Sequence, residues 1–194
     1  GFVIASNRVY GIVLVGEGDH SVDAVTVIGI DDEDDNSAGV IVLSSKNTIK
    51  DTTALGTSVG FLCSSSSNKN TIDSCVVTNA YYVGIEILFG DDNDVKHSTV
   101  VASGQEGIYL FGNRNSITET SVSNSSSGLG VTFDVGEGNM IAKSKIFGNV
   151  ADGLRVNGND DFHILDNIII SNERSGIIVF ESANGEVSGN TVYS

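Results

Sequence analysis

The 194-residue sequence has no proline and no tryptophan, only two cysteines, and ten Lys and Arg against 25 Asp and Glu. Without proline no corner has a preset φ, so turning falls to the 23 glycines and to Asn, Asp and Ser. The formal charge of −15 repels phosphate backbones and anionic membranes, which argues against nucleic acid as a partner. No apolar run reaches the roughly 20 residues a membrane helix needs, so no membrane span is expected. No signal peptide is visible, and a chain that opens on Gly1 rather than Met reads as a processed or excised segment. Cys63 and Cys75 fall in one repeat; buried free thiols are favoured over a disulfide, and two thiols do not identify a redox compartment.

Helical periodicity is also missing, and a fixed repeat stands in its place. Gly84, Gly107, Gly130, Gly153 and Gly176 are spaced 23 residues apart, each followed by apolar, variable, apolar. A period of that size marks stacked units. Gly11, Gly39 and Gly60 extend the series with small adjustments. Apolar residues at +1 and +3, such as Ile85 and Ile87 or Ile108 and Leu110, alternate as in a strand with one buried face. A second strand opens about 11 residues past each glycine, from Val22 and Ile49 to Ile164 and Val187, and a third apolar group, Val27 to Val192, follows five residues later. Asn47, Asn70, Asn93, Asn115 and Asn139 stand two places before the second strand. They are expected to adopt the left-handed turn conformation and to hydrogen-bond up the column, with the anchor glycines turning the next corner.

Strands this short bury a face only when one coil lies on the next. The leucine-rich frame L-x-x-L-x-L is absent, and a propeller blade would need about 40 residues. The reading is therefore an all-β, right-handed, single-stranded parallel β-helix of about eight coils, a rod roughly 40 Å long at about 4.8 Å per coil. One domain is expected over residues 1–194, open at both ends, with an acidic loop near residues 28–38 where Gly11 to Gly39 takes 28 residues. That loop carries Asp31, Asp32, Asp34 and Asp35, which could ligate Ca²⁺. It lacks the D-x-[DN]-x-[DN]-G spacing, and a solvated loop is preferred to a metal site.

The pattern in Gly153-Leu-Arg-Val156, Ile164-Leu-Asp-Asn167-Ile-Ile169 and Gly185-Glu-Val-Ser-Gly-Asn190 resembles the repeats of NosD-like periplasmic proteins and of carbohydrate-active β-helices. These include pectate lyases, polygalacturonases, alginate epimerases and phage tailspikes. The resemblance covers nearly the whole chain and implies the coil; it implies an activity only weakly, because function in such folds sits in grafted sites. The motifs that the catalytic relatives carry, N-T-D with a partnering D-D and R-I-K, or Y-G-x-D-P-H, are absent.

Chemistry on such a rod belongs to an outer face. The column two residues past each glycine offers Glu86, Tyr109, Thr132 and Arg155 as a candidate carbohydrate-binding row, against the simpler reading of ordinary polar surface. A second column holds His97 beside Glu119, a weaker acid–base candidate. No catalytic residue is assigned. Positions +2 and +4 also hold Val13, Ile41, Leu43, Leu62, Phe111, Ile178 and Phe180, which predict an interface covered by another chain or by more of this one. The competing reading turns the +4 residues inward at a corner. Uncapped ends predict either the remainder of a longer solenoid or end-to-end self-association.

The preferred function is a non-catalytic extracellular or cell-surface β-solenoid, structural or adhesive, contacting polysaccharide. The alternatives are a polysaccharide lyase, hydrolase or epimerase using the Glu86 to Arg155 face, and a NosD-like periplasmic accessory protein handling a metal.

Overall fold

The computed structural model describes residues 1–29, 37–64 and 67–193. The residues among them are all strand, turn and loop, gathered into three parallel sheets of eight, eight and nine strands. Each coil contributes one strand to each sheet. The glycine sheet runs from Tyr10–Leu14 through Ile85–Leu88, Ile108–Phe111, Val131–Glu137 and Leu154–Asp160 to Ile177–Phe180. The second sheet runs from Ser21–Asp23 to Glu186–Ser188, and the third from Phe2–Ala5 to Thr191–Tyr193. The predicted ladders form in register: Ile12, Val40, Phe61, Ile85, Ile108, Val131, Leu154 and Ile177 are successive neighbours. Together with Ile49, Ile72, Val95, Ile117, Ile141 and Ile164 of the second sheet they line one continuous core.

The corners depart from the expected chemistry in two ways. None of the eight anchor glycines has a positive φ. All but Gly176 sit where the backbone passes close to the coil beyond: a Cβ on Gly84 would lie 2.3 Å from Val100 Cγ1 and 2.5 Å from the Gly107 oxygen. Glycine is required there for room and not for turning. The left-handed conformation falls one residue before each asparagine, at Lys46, Lys69, Asp92, Arg114 and Gly138. It recurs just past each second-sheet strand, at Asp51, Ser74, His97, Glu119, Lys143 and Asp166.

The asparagines themselves point into the core and do the expected stacking. Asn47, Asn70 and Asn93 each donate their backbone N–H to the Oδ1 of the asparagine in the following coil, at 2.8 to 2.9 Å, and Asn115 does the same to Asn139 at 2.8 Å. A second corner repeats the device with Ser98, Thr120, Ser144, Asn167 and Asn190, and a third with Asn149 and Asn172. Buried amides are thus satisfied where the backbone turns away from its sheet partners. Cys63 and Cys75 are both buried and free.

Candidate functional site on the outer face

The pleat of the glycine sheet sends two columns outward, at +2 and +4 from each glycine. Glu86, Tyr109, Thr132 and Arg155 are successive register neighbours in the first, but Thr132 is corrected as a contact residue: it is only 5% exposed, a short side chain between the longer Tyr109 and Arg155. The second reads Leu88, Phe111, Asp134, Asn157 and Phe180, also in register. None of these five is buried, so the +4 residues do not turn inward.

Three coils bring one polar group each into a bonded row. The Tyr109 hydroxyl donates to Asp134 Oδ2 at 2.7 Å, and Asn157 Nδ2 donates to Asp134 Oδ1 at 2.8 Å. Beside it, Arg155 pairs with Asp152 at 3.0 Å. Burial pushes the Asp152 carboxyl up, but the Ser175 amide and the Arg155 guanidinium outweigh it and hold the group below the usual carboxylate value. Burial, reinforced by the hydrogen bond to Asp134, raises the Tyr109 hydroxyl above its ordinary value.

Burial, with the Glu106 carboxylate adding repulsion, also raises Glu86. A carboxyl raised by folding supports the fold while protonated, below its unfolded value, and loses that support as pH climbs through the folded value. Glu86→Gln is therefore expected to raise the melting temperature at pH 7, with the gain over wild type shrinking as pH falls below the carboxylate range. Parallel melts at pH 7 and pH 3.5 check this; equal gains at both would show that ionisation of Glu86 is not the cause.

Asp134, Asn157, Asp152 and Glu106 were not predicted. The signal for the first two is the +4 column, where Asp134 and Asn157 stand between the apolar Phe111 and Phe180, in the two coils that follow Tyr109. His97 does sit near Glu119, with Nε2 at 3.6 Å, but its closer partner is Asp73, whose Oδ1 lies 2.8 Å from Nδ1. That hydrogen bond holds Asp73 below its ordinary pKa, so the trio reads as an exposed charge ladder.

The predicted interface row divides. Val13, Leu43 and Phe180 are exposed, and Phe111 and Ile178 are half-buried. Ile41 and Leu62 are corrected: they are only 5% and 8% exposed. They pack outside the barrel in a small cluster with Ala38 and Val59, against which Tyr10 and Leu88 lie, because adjacent outward aliphatic side chains bury one another. Asp31, Asp32, Asp34 and Asp35 lie outside the described residues.

Residues 89–194 match the family described as "Right handed beta helix region", and residues 3–119 match the one described as "Periplasmic copper-binding protein (NosD)". No curated protein matches the sequence. Among solved structures, a double mutant of the periplasmic alginate epimerase AlgG superimposes with a TM-score of 0.75 at 17% identity, covering 94% of this chain and 56% of that one. The enzymatically active domain of tailspike protein 2 from bacteriophage CBA120 gives 0.68 at 10% identity, covering 96% and 35%. Pectate lyase Pel9A gives 0.55 at 14% identity, covering 88% and 46%. At such identities the likeness is one of fold, and the chain spans between about a third and just over half of each of these proteins.

Proposed function

Because the chain belongs to the right-handed β-helix family, and over residues 3–119 to the NosD family, we propose that it is a polysaccharide-binding β-solenoid of the cell envelope. In this reading a glycan strand lies along the outer face of the glycine sheet and is held without being cleaved. The observation that carries it is the Tyr109–Asp134–Asn157 row, in which three successive coils each present one hydrogen-bonding group on an open surface. Coils about 4.8 Å apart are spaced close to the length of one pyranose unit, so successive sugars meet successive coils. Groups that already fix one another's orientation need little ordering on binding. Two fold neighbours named for a polysaccharide, the alginate epimerase and the pectate lyase, support the choice of ligand class.

Calorimetric titration with gluco-, manno- and mannuronate hexasaccharides tests the reading. The wild-type chain is expected to bind at least one of them, and Asp134→Ala to weaken that binding at least tenfold by releasing Tyr109 and Asn157. Asp134→Asn keeps an acceptor for Tyr109 and controls for folding. Absence of binding to every hexasaccharide would remove the proposal.

One observation favours a second, catalytic reading. Burial and the Glu106 carboxylate shift Glu86 upward, the direction a general acid needs, and Asp134 lies two coils away on the same face. Release of new reducing or unsaturated ends from a polymer, lost in Glu86→Gln, would establish it over the binding role.

Copper does not enter either reading. Among the described residues no three His, Cys, Asp or Glu side chains are placed to hold a metal ion. Burial raises the Cys63 thiol to about 12 and the Cys75 thiol to about 11, so neither offers a ready thiolate.

A further inference from the structure

Five residues past the anchor glycine, in five successive coils, the backbone passes through a left-handed corner occupied by Phe89, Gly112, Val135, Gly158 and Glu181, all with positive φ. Glycine suits that corner, and a bulky residue there is strained. Phe89 accepts the strain at φ 58° and yet stays 62% exposed; Val135 does so at φ 32° and stays 52% exposed. Neither recovers the strain through burial. Gly112 lies between them, without a side chain, as the floor of an open slot whose two walls stand two coils apart, about 9.6 Å. Phe111 backs the slot, its ring meeting that of Phe89 edge to face at a centroid distance of 4.6 Å, and Asp91 and Asn113 lie along the rim. Phe111 is also the register neighbour of Asp134, so the slot is continuous with the polar row.

We infer that this slot is a stacking subsite for one pyranose ring of a neutral glycan, with Phe89 as its platform. The inference rests on the polysaccharide-binding reading and narrows it. An aromatic face carries negative charge density, and the C–H edges of a sugar are its complement. A pocket with apolar walls and a few polar groups at its lip suits a ring that is apolar on its faces and hydroxylated around its rim. Asp91, Asp92 and the overall charge of −15 select against a uronate, and the guanidinium of Arg114 beside them is already paired with Asp92 at 2.8 Å.

The test is titration of the full chain and its Phe89→Asn and Phe89→Tyr variants with cellohexaose, mannohexaose and hexamannuronate, alongside melting curves and light scattering. Asparagine tolerates the left-handed corner, so Phe89→Asn should fold as well as wild type and bind the neutral hexasaccharide at least tenfold more weakly. Phe89→Tyr keeps the ring and should retain binding. Equal binding by Phe89→Asn overturns the subsite while leaving the wider groove in place. Preferential binding of hexamannuronate overturns the neutral assignment. A lowered melting temperature with unchanged affinity makes Phe89 a packing residue, and altered mass with unchanged affinity makes the slot a self-association surface; either result overturns the proposal. If the wild-type chain binds no hexasaccharide, the groove and its subsite fall together.

Discussion

Asn115→Ala is expected to destabilise the fold by about 3 kcal/mol or more, since it strands three buried groups at about 1–3 kcal/mol each. Asn115 Oδ1 accepts both the backbone N–H and the Nδ2 of Asn93, at 2.9 and 3.1 Å, and its own Nδ2 donates to the Gly90 oxygen at 2.9 Å. The residue is fully buried, and alanine replaces none of these partners. The same substitution keeps the Asn115 backbone N–H bonded to Asn139, so the loss is confined to the coil before it. Urea unfolding is the measurement: the midpoint should drop sharply while the slope changes little. A loss below about 1 kcal/mol would mean that water replaces the amide and that the ladder contributes little.

Gly107→Ala should have an effect of similar rank for an unrelated reason. Its φ is not positive, so alanine meets no conformational objection, but the new methyl would stand 2.2 Å from Val122 Cγ1 and 2.6 Å from the Gly130 oxygen. That oxygen accepts the Ile108 N–H at 3.0 Å, so making room for the methyl strains a sheet hydrogen bond as well as the core. Overpacking of this sort costs about 1–3 kcal/mol, and the disturbed bond brings the total to about 3 kcal/mol or more. Gly56→Ala is the contrast. It has a φ of 59° and nothing within 4 Å of its added methyl, so only the left-handed penalty of about 1–2 kcal/mol applies. If the two variants unfold at the same urea concentration, close approach is not what the anchor glycines serve.

The same pair of glycines shows what the sequence could and could not reveal. The 23-residue period and the alternation after each glycine were enough to place every rung of the core ladders, because burial of one pleated face leaves a period-two trace in the residues themselves. Why the anchor is glycine was not legible: a turn and a close approach demand the same residue, and only the position of the neighbouring oxygen separates them. The asparagine column was read correctly as a stack and wrongly as a left-handed corner, because both roles suit an amide and they fall one residue apart. Ile41 and Leu62 looked exposed because strand parity sends them outward, and parity does not report that outward neighbours bury each other. Tyr109 was legible as a candidate, yet its partner Asp134 stands 25 residues on and in another column, a pairing that exists only once the coils are stacked.

At the three laced corners the backbone N–H of the earlier coil donates to a side-chain oxygen of the later one. The amide Nδ2 of Asn115, Asn167 and Asn172 donates the other way, to a carbonyl of the earlier coil, so the lacing runs in both senses and leaves little net dipole. Direction comes instead from the strands, which are parallel in all three sheets, so going up the stack is not the mirror of going down it. A polymer lying on the outer face has two inequivalent ways to lie.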